Sequence, residues 1–216
     1  MESRRNRRHT EEVKDLQNQT KQEQILDALQ ALLENKNIQN ISVSEIAQTA
    51  GIGKGSIYYY FPSKDSIVDA LVERNYEKPL ETAKNLARQT DISPFTRMAM
   101  IFQACRNSTS AFHAQKGTAL PDAKEDAFIR QKYMKHLISE MKPVLAEIIR
   151  QGIDMGQIRF DYPAALAEIA LIVLTVKLND SDSSGPEESE ETIRGLISLL
   201  EKGTENPAGS LNFLMS

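Results

Sequence analysis

The sequence predicts an all-α fold: a small N-terminal three-helix unit built around a helix-turn-helix, followed by a larger helical domain. Three observations carry this. Apolar residues recur at helical spacing almost throughout the chain. No segment alternates apolar and polar residues over a strand length, and no Asn-Gly or Asp-Gly pair marks a hairpin. Helix caps and breakers instead punctuate the chain, with no repeat period.

The first helix is expected to start near Thr20, where Thr20-Lys21-Gln22-Glu23 has the form of a capping box. Ile25, Leu26, Leu29, Leu32 and Leu33 form its apolar stripe, and Asn37 to Asn40 reads as a loop. Ser42-Val43-Ser44-Glu45 repeats the capping pattern and opens a second helix with Val43, Ile46, Ala47 and Ala50 on its apolar face. Gly51 suits the left-handed turn that ends such a helix. A third helix follows from about Lys54 to Phe61, Pro62 stops it, and Ser63 caps a fourth that carries Ile67, Val68 and Leu71.

Beyond Tyr76 the composition changes, and Pro79 and Ser93-Pro94 are expected to separate two further helices. Phe95, Met98, Phe102 and Cys105 keep helical spacing. A long helix is expected from Leu120-Pro121-Asp122 to about Gly152, kinked or broken at Pro143. Asp161 and Pro163 read as the cap and first turn of the next helix, which is apolar on nearly every side. An acidic Ser/Gly/Pro loop at 180–186 precedes a last helix with Ile193, Leu196, Ile197 and Leu200. The expected domains are a mobile basic arm at 1–19, a helix-turn-helix domain at 20–66, a helical domain at 67–203 and a tail at 204–216, in which Leu211, Phe213 and Leu214 can dock.

With 216 residues, 40% hydrophobic and 26% charged, the chain can bury a core without disulfides. Its single cysteine, Cys105, excludes an internal disulfide and a CxxC pair. The N-terminus has no apolar signal segment, and the apolar stretch Tyr162 to Leu178 contains Glu168 and Lys177, so a cytoplasmic protein without a membrane span is expected. A net charge of −4 argues against nucleic acid only if charge is averaged over the chain. Arg4, Arg5, Arg7 and Arg8 cluster at one end, whereas acids such as Asp180, Asp182, Glu187 and Glu188 gather near the other. Phosphate contacts are local, so the asymmetry suits an N-terminal nucleic-acid module. The arginine cluster fits a minor-groove arm and a solubilising tail equally well.

The second helix of a helix-turn-helix enters the major groove. Its outer face should show Lys54, Gly55, Ser56, Tyr58 and Tyr59. Lysine can meet a phosphate or a guanine edge, glycine lets the backbone approach, serine can donate, and tyrosine combines an apolar ring with a hydroxyl. Either tyrosine can instead belong partly to the core. Ile57 and Phe61 should point inward. Ser42 and Lys64, at the starts of the flanking helices, are placed to grip the DNA backbone.

The stretch Ile41 to Leu71, ISVSEIAQTAGIGKGSIYYYFPSKDSIVDAL, resembles the DNA-binding domain of TetR-family regulators. The shared pattern is a capped helix with Ile-Ala, then Ala-Gly-Ile, a Lys-Gly-Ser helix start, Tyr-Tyr, Phe, and a lysine before the fourth helix. Gly53, Tyr60 and Pro62 depart from it, standing where Ser, His and a polar residue are common. The resemblance implies an all-helical homodimer that binds a pseudo-palindromic operator, with a C-terminal ligand-binding and dimerisation domain. Ligand binding would spread the two reading heads and release DNA, so a repressor is expected.

The second half identifies itself less. The helices near 162–179 and 187–202 need a large partner surface, and pairing them with their copies in a second subunit would make a four-helix bundle. The alternative is that the first of them is monomer core. A small-molecule effector site is expected among Met98, Phe102, Cys105, Phe112, Tyr133, Leu137 and Met141, although a solid core would have the same pattern. His113 and His136, with Asp122, Glu125 and Asp126, match no metal-site spacing. No phosphate loop, nucleophile elbow or HExxH is present, so neither an enzyme nor a cofactor is expected. The alternative function is a helix-turn-helix protein controlled by a protein partner, or serving a chromosome-structural role, without a ligand.

Overall fold

The computed structural model describes residues 19–115, 123–179 and 186–215, with side chains given outside 108–127, 130 and 177–186. The arginine cluster, Leu120-Pro121-Asp122 and the acidic loop at 180–185 lie outside the described residues. Among those described there is no strand. The helices are α1 (19–33), α2 (Val43–Thr49), α3 (Lys54–Tyr60), α4 (Lys64–Ala87), α5 (Pro94–Gln115), α6 (Ala123–Asp154), α7 (Pro163–Asn179) and α8 (Pro186–Gly203). Short 3-10 turns stand at Ile38–Asn40 and Asn212–Met215. The chain divides into two compact units, Met1–Arg74 with Gln115–Ile129, and Asn75–Ala114 with Arg130–Ser216. The division falls inside α4.

In the first unit the predicted apolar stripes supply most of the core, with Leu32, Val43 and Ala50 only half-buried. Ile25 and Leu29 of α1, Ile46 of α2, Ile57 of α3 and Ile67 of α4 are fully or almost fully buried. Residue 19 is already helical, so Thr20 lies inside α1 rather than at its cap. Glu23 accepts from Arg74 on α4 at 2.9 Å instead. The same guanidinium reaches Asp27 at 2.7 Å and Gln30 at 2.5 Å, fastening α4 to successive turns of α1.

The second unit departs from the sequence reading at its prolines. α4 runs through Pro79 and α6 through Pro143, so neither proline ends a helix. Each removes one backbone N–H, but α4 and α6 continue for more than a turn on both sides. Pro79 is itself buried. Asp161 does not cap α7: the carbonyl of Tyr162 accepts from Leu166 N at 2.9 Å, with Pro163 in the first turn. Gly152 lies inside α6 where space is shortest. A Cβ there would meet Ile158 Cδ1 at 2.6 Å and Pro94 Cγ at 3.2 Å, so the residue must be small.

The expected tail is docked. Glu201, only 7% exposed, accepts through Oε1 from Gly209 N at 2.9 Å and Leu211 N at 3.0 Å. Arg159 N donates to Thr204 O at 3.2 Å. These bonds seat Leu211 and Leu214 against Leu174, Ile193, Leu196 and Ile197 in one apolar cluster. A buried carboxylate is tolerated here because two backbone amides solvate it.

Candidate nucleic-acid interface and effector cavity

Local signals build the reading head. At the start of α2, Glu45 N donates to Ser42 Oγ at 3.2 Å and Ser42 N donates to Glu45 Oε2 at 2.8 Å, completing the capping box. Lys36 adds an ion pair to Glu45 Oε1 at 2.7 Å. Together these donors lower the Glu45 carboxyl from 4.5 to about 2, Lys36 contributing most. At the other end Gly51 takes φ +67°, Ile52 N bonds to Ala47 O at 3.0 Å, and Gly51 N to Gln48 O at 3.2 Å. This is a Schellman stop, and it needs a residue without Cβ at Gly51. α3 then opens on Gly53, which offers no side-chain cap, and closes with Phe61 N on Ile57 O at 2.8 Å. Ser63 and Ser66 cap α4 reciprocally, with backbone-to-hydroxyl distances of 3.1 and 3.0 Å.

Every predicted contact on α3 lies on its outer face. Lys54, Gly55 and Ser56 are exposed, Tyr58 is 49% exposed and Tyr59 75%. Neither tyrosine belongs to the core. Ile57 and Phe61, at 1% and 7%, hold the helix down as expected. Tyr60 is half-buried and meets the Tyr59 ring edge-on, with centroids 5.0 Å apart. Ser42 is exposed, but its amide is committed to Glu45, so only its hydroxyl proton is left for a phosphate. Lys64 is half-buried and turns inward: Nζ donates to Ile38 O at 2.8 Å and Ile41 O at 3.0 Å. Two of its three protons therefore clamp the loop before α2.

The second unit holds a cavity of about 300 Å3. α5 contributes Phe95, Met98, Ile101, Phe102, Cys105 and Arg106 to its wall, and α6 contributes Leu137, Met141, Leu145 and Ile149. Leu171 and Leu174 of α7 line another side, and the docked tail closes it with Asn206, Leu211, Phe213 and Leu214. Of the residues predicted to form an effector site, Met98, Phe102, Cys105, Leu137 and Met141 line this cavity. Tyr133 stands one layer behind, packed on the lining residue Tyr76 with centroids 4.1 Å apart. The side chain of Phe112 lies outside the described residues, as do those of His113, Asp122, Glu125 and Asp126. His136 lies 6.2 Å from the Tyr76 ring, centroid to centroid. Arg106 was legible in principle: it sits four residues after Phe102 on the same face of α5. Of the tail residues, Leu211, Phe213 and Leu214 were expected to dock, but their place on the cavity wall follows from distant bonds such as those of Glu201.

An all-helical fold with this helix-turn-helix defines a DNA-binding transcriptional regulator. Residues 25–71 match the family described as bacterial regulatory proteins, tetR family. The chain is 25% identical over 139 residues to the transcriptional repressor KstR2 of Mycobacterium tuberculosis, covering 64% of this chain and 69% of that protein. It is 25% identical over 187 residues to the transcriptional regulator EthR of the same species, covering 82% of each. In fold it is similar to the TetR-family repressor FadR of Thermus thermophilus, solved in complex with lauroyl-CoA, with a TM-score of 0.58, 18% identity, and coverage of 87% of this chain and 100% of that one. Residues 25–71 therefore form a tetR-family regulatory domain, and over most of its length the chain is similar to transcriptional regulators. Among the described residues no helix is long and apolar enough to cross a membrane.

Proposed function

We propose that the protein is a cytoplasmic, homodimeric repressor that a small apolar or amphipathic molecule releases from a pseudo-palindromic operator. The observation that carries the DNA reading is the outer face of α3, where Lys54, Gly55, Ser56, Tyr58 and Tyr59 are exposed over the buried anchors Ile57 and Phe61. Lys54 and Ser56 supply donors for phosphates and base edges, and the tyrosines supply flat rings with a hydroxyl at the tip. Ser42 contributes its hydroxyl to the flanking backbone. Lys64 chiefly positions the loop before α2 and has one proton left for a phosphate.

The apolar cavity supports a small-molecule effector over control by a protein partner, since a solid core would leave no room for one. FadR, a repressor of the same fold, was solved with an amphipathic acyl ligand. The dimer reading rests on Ile169, Ile172 and Val176, spaced along one face of α7, and on Leu199 of α8, all exposed in the single chain. Copies of these helices would cover them in a four-helix bundle.

The test is selection of a DNA site from a random pool, followed by affinity measurements across salt concentrations with the wild type and Tyr59→Ala. Losing a contact at the groove should weaken binding by roughly 10–100-fold, about 1–3 kcal/mol, with the dimer still folded. A purified protein that selects no sequence at low salt would overturn the reading. Unchanged affinity in Tyr59→Ala would remove that residue from the interface.

A further inference from the structure

The polar groups on the cavity wall are unequal. Thr175 Oγ1 donates to Leu171 O at 2.6 Å, and Thr204 Oγ1 to Leu200 O at 2.6 Å. Asn206 Nδ2 donates to both Thr204 O and Thr204 Oγ1, at 3.2 and 2.8 Å. Those donors already serve the protein's own backbone and side chains. Cys105 is a neutral thiol, its pKa pushed up to about 12 by burial. Arg106 is different. It is half-buried, it lines the cavity, and among the described residues no carboxylate pairs with it. Its guanidinium lies near the ring of Phe102, also on the wall, with Cζ 5.9 Å from the ring centroid. That contact steadies the guanidinium without using its N–H groups.

No aspartate or glutamate lines the cavity among the described residues. A cationic ligand would therefore bring an unpaired charge toward a positive wall. A neutral apolar ligand would displace water from beside the guanidinium and offer it no acceptor in return. An anionic head on an apolar body satisfies both demands: the body fills the space between Met98, Leu137, Met141 and Leu174, and the head takes the N–H fork of Arg106. The low-polarity surroundings make that ion pair stronger than one in open water.

We propose that the effector is an anionic amphiphile, its carboxylate or phosphate head bound by Arg106 and its hydrocarbon part held in the apolar cavity. This rests on the effector reading above and adds to it the chemical class of the ligand and the residue that selects it.

The experiment is calorimetric titration of the full-length protein below micellar concentrations. The chain-shaped probes are decanoate, decyl phosphate, 1-decanol and decylammonium; 2-naphthoate and 2-naphthylmethanol repeat the comparison with a compact body. In at least one shape the anion should bind about 10–100-fold more tightly than its matched alcohol, as expected for a hydrogen-bonded charge, and decylammonium should bind no better than decanol. Arg106→Gln should bring the anion down to the alcohol's affinity and leave the alcohol's own affinity unchanged, which also shows that the cavity is intact. Arg106→Lys should keep part of the preference. The tighter of decanoate and decyl phosphate names the head group. Equal affinity for anion and alcohol, or a preference that survives Arg106→Gln, overturns the anionic-head proposal while leaving the cavity as an effector site. Binding of no probe in either shape overturns the effector reading itself, and this proposal with it.

Discussion

The two units of the chain place their polar groups in opposite ways. In the first unit, charge and capping groups stay near the surface and find partners: Ser42 with Glu45, Glu45 with Lys36, Arg74 with Glu23 and Asp27. Its buried side chains are chiefly aliphatic, with the Phe61 ring among them. The second unit buries Arg97 completely and keeps a cavity. Arg97 Nη1 reaches Gln151 Oε1 at 2.6 Å and Ala87 O at 3.3 Å, while Nε and Nη2 have no partner among the described residues. Burial pulls its pKa below the ordinary arginine value, and the charge of Asp91 opposes that shift. The first unit keeps its charges at the surface and capped, whereas the second keeps open volume and a buried guanidinium with unmet donors.

The largest expected effect comes from Arg97. It ties α5 to the last carbonyl of α4 and to Gln151 of α6. Arg97→Ala should lower the unfolding free energy by about 2–5 kcal/mol, because it opens a hole and leaves Gln151 less well bonded. Arg97→Met should stay close to the wild type, since a buried charge with open donors is replaced by a side chain of similar length that needs none. Urea unfolding measures both. A methionine variant as unstable as the alanine variant would mean that the guanidinium's bonds outweigh the cost of burying it.

An intermediate effect separates filled from open interior. Ala47 is 2% exposed in α2 among buried core residues, so Ala47→Leu should cost about 1–3 kcal/mol by overpacking. Ala170 of α7 lines the cavity, so Ala170→Leu should be neutral or raise the melting temperature, and should block binding of any ligand there. Equal destabilisation at the two sites would show that the cavity collapses in solution.

The same contrast explains what could be read from the sequence. The reading head was legible because its signals are short-range: Ser42 to Glu45, Gly51 beside Ile52, Pro62 and Ser63 each act within a few residues of themselves. The faces of α3 followed from helical spacing. The second unit depends on contacts distant in sequence or against local preference. Pro79 and Pro143 are breakers by local chemistry, yet the packing of long helices carries the chain through them. Five predicted effector residues line the cavity because they follow one helical face each of α5 and α6, whereas the tail wall depends on the placement of Glu201. Lys64 shows a subtler limit. Its residue type and position suit a phosphate contact, but only coordinates show its ammonium turned toward Ile38 and Ile41.

The smallest expected effect tests how the head holds its charge at the surface. Glu45 is ionised down to about pH 2 in the folded protein, against an ordinary value of 4.5, because Lys36 and Ser42 stabilise its carboxylate. Between those two values the unfolded chain binds the proton and the folded chain does not. The stabilisation from this group is therefore complete above about pH 4.5 and declines as pH falls toward 2. Glu45→Gln has no such window. Urea midpoints of the wild type and Glu45→Gln should differ most near pH 6 and converge as the pH is lowered, the shift staying small because the pair is solvated. A gap that is constant from pH 6 to pH 3 would mean that the capping geometry, and not the charge, is what Glu45 supplies to the start of α2.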